Sequence, residues 1–171
     1  MKNAFTVVEL LLVIVIIAIL AGITFPIYGR LVESGRAASC ISNLRQLGIA
    51  LNLYLNDHNA TMPVLAAART STSQDVAVID NTLNSYANNA AVFACPSDRL
   101  GLANATGTSY YWNSALNGQH VSNLNFLTIG ELSRIPILSD KQGFHLYTQN
   151  KVNILYADGH ATKDLQFYTS P

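Results

Sequence analysis

Charge is what this chain has least of. Charged residues make up 12% of 171 positions, ten basic against ten acidic, and the formal net charge is zero. No basic field of the kind that binds nucleic acid or other acidic polymers is present. Cysteine is almost absent: Cys40 and Cys95 are the only two, too few for a zinc site built on cysteine alone. No HExxH helix, nucleophile elbow or glycine-rich phosphate loop occurs, so catalysis is not expected. From Phe5 to Phe25 the scarcity of charge becomes extreme, and Glu9 is the only charged residue in the run.

That run is built from Leu, Ile, Val, Ala and Phe. At ~1.5 Å per helical residue it nearly spans the ~30 Å hydrocarbon layer of a bilayer. Lys2 before an apolar stretch suits a secretory signal, but such a signal needs an apolar region of only about 7–15 residues, and it has no use for Glu9. A plain membrane anchor has none either, because a carboxylate near the bilayer centre costs on the order of 2.5–3.5 kcal/mol. Glu9 gains a purpose if a peptidase cuts between Ala4 and Phe5. The acid then lies one turn from a new amino terminus and can pair with an ammonium group.

The order of features is specific: a short basic leader, a small residue, Phe5, Thr6-Val7-Val8-Glu9-Leu10, an aliphatic run, then Pro26. It resembles the class III signal of type IV pilins and type II secretion pseudopilins. The resemblance implies that a prepilin peptidase cuts before Phe5 and N-methylates it. It also implies that Glu9 pairs with the amino terminus of a neighbouring subunit, and that Pro26 kinks the helix. Ala4 departs from the glycine usual in that family. Residues 1–4 are then leader, 5–28 a transmembrane and filament-core helix, and 29–171 the head.

The head, roughly 140 residues, is enough for one compact domain. Between Glu33 and Asp57, Ile41, Leu44, Leu47, Leu51 and Tyr54 or Leu55 recur at the spacing of an amphipathic helix. Arg36, Asn43, Arg45, Gln46, Asn52 and Asn56 fall on the other faces, and Asp57-His58-Asn59 with Pro63 beyond marks the stop. Cys40 lies on this helix and Cys95 at a Cys-Pro turn. A disulfide between them would close a loop of about 55 residues and contribute roughly 4 kcal/mol in the chain-entropy model; the alternative is two buried thiols. Thr70–Ser73 reads as a surface loop and Asp80–Tyr86 as a short helix or turn.

Short strands are expected at Ser109–Trp112, Asn125–Ile129, Ile135–Leu138, Phe144–Tyr147 and Val152–Tyr156, separated by turn-forming residues. Asp158-Gly159 reads as a hairpin turn. The fold class is α+β: a long apolar stalk continuing into an amphipathic helix packed on a small, mostly antiparallel sheet. Cys-x2-Asn-Leu-Arg-Gln from Cys40, Phe-x-Cys-Pro-Ser-Asp from Phe93, Ser-Tyr-x2-Asn from Ser109, Ser139-Asp140 and Asn-x2-Tyr-Ala-Asp-Gly-His from Asn153 are similar to a pilin-like family. That family carries a C-terminal signature of His, nine residues, then Asp-Gly. Here Thr148 stands at the signature position and His145 lies three residues further upstream.

Asp140, His145, Asp158 and His160 are the cluster best suited to a structural calcium or another divalent metal. The alternative is a turn at Asp158-Gly159 with two surface or hydrogen-bonded histidines. Tyr110, Tyr111 and Trp112 suit either a ligand patch or the core. The resemblance implies a structural subunit of a pilin-like filament in a type II secretion system, or alternatively of a surface type IV pilus. It would be held first in the inner membrane with its head in the periplasm. Its partners would be the prepilin peptidase and N-methyltransferase, copies of itself and other pilin-like subunits, and an inner-membrane assembly platform. A monomeric, membrane-anchored binding protein is the reading from a different class.

Overall fold

The computed structural model describes residues 6–145 and 151–163. Its first element is a single helix, α1 (Val7–Asp57). Position 26 lies inside it without interrupting it, so the proline does not end the helix. Val7 is 80% and Phe25 88% exposed, and the large apolar residues between them are exposed too. From Glu33 onward one face is buried through Ala37, Cys40, Leu44, Leu47, Leu51 and Leu55. This is the spacing read from the sequence, and burial of each leucine contributes about 1.5–3 kcal/mol. Asn43, expected on a solvent face, is half-buried instead, with its amide donating to the Ala94 carbonyl oxygen at 3.0 Å.

After α1 come α2 (Ile79–Thr82), a 3₁₀ turn at Ala90–Phe93 and α3 (Leu102–Thr106). The sheet follows in chain order as β1 (Tyr110–Trp112), β2 (Pro136–Asp140), β3 (Ile154–Tyr156) and β4 (Ala161–Thr162), every pair antiparallel. Tyr110 pairs with Asp140, Leu138 with Leu155 and Leu155 with Ala161, with a bulge between Pro136 and Leu138. β3 lies on α1 at Gly48, where an added Cβ would stand 3.3 Å from Leu155 Cδ1. The α+β architecture expected from the sequence is present.

Two strand expectations need correction. Asn125–Ile129 is a tight turn bridged only by Phe126 and Ile129. Leu127 and Thr128 are left-handed at φ 49° and 70°, and Asn125 Oδ1 accepts from the Thr128 amide at 3.2 Å. The apolar spacing imitated a strand, but Leu127 is 72% exposed, and Phe126 and Ile129 pack on the core from the two ends of the turn rather than along one extended face. Phe144 and His145 are also irregular, and the rest of that expected strand lies outside the described residues. The Asp158-Gly159 hairpin was correctly read: Gly159 has φ 89°, and the turn joins β3 to β4, a two-residue strand the sequence did not reveal.

Gly107 closes α3 with φ +90°, and an added Cβ would strike Asp80 Oδ2 and the Arg69 guanidinium. Those two groups form an ion pair that is largely buried. Gly107→Ala is expected to cost about 1–3 kcal/mol through backbone strain and displacement of that pair. A thermal melt of the full chain checks this; an unshifted midpoint would refute it.

Candidate functional site

Two regions gather the residues singled out by sequence. The first is the exposed half of α1. The helix is long and apolar enough to cross a membrane, with mean hydropathy 3.0 over its most apolar window. Thr6 caps it. Thr6 Oγ1 accepts from the Glu9 amide at 3.3 Å, while the Thr6 amide and hydroxyl donate to Glu9 Oε2 at 2.9 and 2.8 Å. This is a capping box. It gives Glu9 a local role that the Thr-x-x-Glu spacing signalled and the sequence reading passed over. Ala4 and Phe5 lie outside the described residues.

The second region is a buried polar cluster where the head meets the stalk. Cys40 and Cys95 are disulfide-bonded, with Cα atoms 5.0 Å apart, so α1 is covalently stapled to the loop after the 3₁₀ turn. Beside the bond lies His145, fully buried. Its Nδ1 donates to Glu33 Oε1 at 3.3 Å, and its Nε2 is 3.3 Å from Asp140 Oδ2. Glu33 also accepts from Ser97 Oγ at 2.6 Å and from Arg99 at 3.0 Å. Asn153 donates through its amide nitrogen to His145 Nε2 and through its backbone to Asp140 Oδ2, both at 2.7 Å.

The cluster's electrostatics follow from these partners. Burial pushes the Glu33 carboxyl up, but the donors Ser97, His145 and Arg99 outweigh it and hold Glu33 below the usual carboxylate range. At Asp140 burial wins over the same kinds of contact, and its carboxyl is raised. Asp98 is lowered, because the Ala103 amide, the Ser109 hydroxyl and the Leu102 amide together overcome its burial.

The four residues expected to share a metal do not converge. Asp140 and His145 meet in the core, whereas Asp158 and His160 pair with each other in the exposed β3–β4 turn. The physical reason is the hairpin itself: Asp158 accepts from the His160 amide at 3.1 Å, and the His160 ring stacks on Tyr156. Tyr110 and Trp112 are buried, while Tyr111 is exposed, so two of the three aromatics belong to the core.

Glu33, Ser97 and Asn153 were missed as partners. For Glu33 a signal existed, since it shares the helix face of Ala37, Cys40 and Leu44. The other motif residues do structural work here: Asp98 accepts from the first amides of α3, Ser109 Oγ accepts from the Cys95 amide and Asn113 donates to the Pro136 carbonyl. Comparison with protein-family models, curated proteins and solved structures finds no match for this chain.

Proposed function

We propose that the chain is a structural subunit of a pilin-like filament, most consistent with a pseudopilin of a type II secretion system. It is inserted in the inner membrane as a precursor and cut between Ala4 and Phe5. The observation that carries this reading is one unbroken helix whose first half is apolar on every side and exposed, while its second half forms the core of the head. A simple tether needs only to reach the bilayer and gains nothing from rigid continuity with its cargo. A subunit that leaves the membrane to pack against its own copies needs both, because the stalk's surface is reburied among neighbouring stalks and the helix transmits their positions to the heads.

The capping box gives the Glu9 assignment a sharp test. Glutamine is also accepted at the third position of a capping box, so Glu9→Gln keeps the cap and removes the charge, whereas Glu9→Ala loses both. If Glu9 pairs with the amino terminus of a neighbour, both variants lower filament yield by at least about tenfold, as loss of one partner of a buried ion pair requires. Wild-type yield from Glu9→Gln would reduce Glu9 to a cap. Intact mass and N-terminal mapping of protein from native membranes check the processing: N-methylated Phe5 is the expected terminus, and retained Met1 overturns it. Release of fibres by shear separates a surface pilus from a periplasmic pseudopilus.

A second reading, a membrane-tethered binding protein, draws support from an open cleft of about 640 Å³ at the C-terminal end of α1, lined in part by Tyr54, Asp57, His58 and Met62. It requires the intact Met1 that the filament reading excludes.

A further inference from the structure

The Cys40–Cys95 pair has a third member. One ligand-capable atom from each of Cys40, Cys95 and His145 lies within 4.8 Å of the other two, and all three residues are buried. His145 Nε2 stands 3.9 Å from Cys95 Sγ. In a tetrahedral zinc site, with bonds of roughly 2.3 Å to sulfur and 2.0 Å to nitrogen, neighbouring donor atoms lie about 3.6 Å apart. The Cys95–His145 spacing is thus already close to the edge of a coordination tetrahedron.

The imidazole is also held as metal-ligating imidazoles are held. Its Nδ1 donates to the Glu33 carboxylate, the kind of contact that orients a ligating ring. Its Nε2 faces Asn153 Nδ2 at 2.7 Å and Asp140 Oδ2 at 3.3 Å. A second observation points to a ligand: among the described residues, Asp140 Oδ1 and Asn153 Oδ1 are buried without a hydrogen-bond partner. Both belong to side chains that already reach Nε2. Orphaned buried oxygens are costly, and a cation is a group they would satisfy.

We propose that, with its cysteines reduced, the head binds a thiophilic divalent cation of the zinc class through Cys40 Sγ, Cys95 Sγ and His145 Nε2, with Asp140 or a water in the fourth position. On binding, each thiol releases its proton to solvent, and the cation replaces the Asn153 hydrogen bond at Nε2. Oxidation ends the state. The two thiolates give two electrons to a disulfide-bonded oxidant, which takes up two protons as it becomes a dithiol, the S–S bond forms and the cation leaves. The same pair of side chains therefore staples α1 to its loop in both redox states. Nothing in this depends on filament assembly.

The test uses the full chain in detergent, reduced with a phosphine in guanidinium and diluted without oxygen into buffer containing Co²⁺. The expected result is one Co²⁺ per chain, with thiolate-to-cobalt charge-transfer absorption and tetrahedral d–d bands that Zn²⁺ abolishes. His145→Gln, shown by circular dichroism to fold when oxidised, should bind at least about tenfold more weakly. Absence of the bands overturns the proposal, whether the reduced chain folds or not, and so does wild-type affinity in His145→Gln. Should that variant fail to fold, X-ray absorption of the wild-type complex decides: two sulfurs with an imidazole nitrogen support the site, and any ligand set lacking either overturns it.

Discussion

Replacing both cysteines with alanine is expected to lower the stability of the oxidised head by about 3–5 kcal/mol. The bond joins residues 55 apart in sequence, and in the chain-entropy model freeing a loop of that length gives the unfolded state roughly 4 kcal/mol. Native contacts do not replace it. Val92 and Phe93 are buried beside the bond, and the loop is otherwise held by hydrogen bonds, among them Asn43 to the Ala94 carbonyl, the Cys95 amide to Ser109, and Ser97 with Arg99 to Glu33. Neutral bonds of this kind contribute about 0.5–1.5 kcal/mol each and those to a charged group about 1.5–3 kcal/mol; the variant keeps the same bonds, so they do not offset the lost one. Against a total of ~5–15 kcal/mol for an ordinary domain, the loss leaves folding marginal. Guanidinium unfolding of wild type and variant, both under oxidising conditions, gives the number. A difference below about 1 kcal/mol would mean that the unfolded chain is already confined without the bond. Reduced wild type held in chelator should unfold close to the double variant, because both lack the covalent and the metal staple.

Local pattern and long-range contact divide what was legible. The apolar stalk, the buried face through Cys40, Leu44, Leu47 and Leu51, and the Asp158-Gly159 turn are properties of neighbouring residues, and periodicity or turn chemistry reveals them. The Cys40–Cys95 bond was open to inference because two residues allow one pairing. His145 and Glu33 are 112 residues apart, and no period in the chain connects them. Grouping His145 with Asp158 and His160 followed proximity in sequence. The fold instead placed His145 against the stalk and left the other two in a solvent-facing hairpin. Asn125 to Ile129 failed for the reverse reason: the local pattern was strand-like, but among the described residues no partner strand lies beside it.

The second large effect is expected at Glu33. Its side chain enters the core from α1 and accepts from Ser97 Oγ, Arg99 Nη2 and His145 Nδ1. Ser97 and His145 are themselves buried, so neither can turn to water when the carboxylate is removed. Glu33→Ala is therefore expected to cost about 3–5 kcal/mol, the range for breaking a buried charged pair on one side. Glu33→Gln keeps an acceptor oxygen for Ser97 and should cost less, about 1.5–3 kcal/mol. The pH dependence separates charge from packing. Because the folded-state pKa of Glu33 is lowered, its contribution is fully present above the unfolded value of ~4.3 and is lost as pH falls through the folded value. Asp140 runs the other way: its raised pKa gives stability that is present below the unfolded value of ~3.9 and is lost as pH rises through its folded value. Wild-type stability should then fall on acidification below about pH 4 through Glu33 and Asp98, whereas the gain from Asp140 comes at higher pH, between its raised folded value and its unfolded one, and is complete before that limb begins. Glu33→Gln should flatten that acid limb while leaving Asp98's share. Chemical denaturation between pH 2 and 7 reads both slopes, and an acid limb unchanged in Glu33→Gln would show that the carboxylate contributes by shape alone.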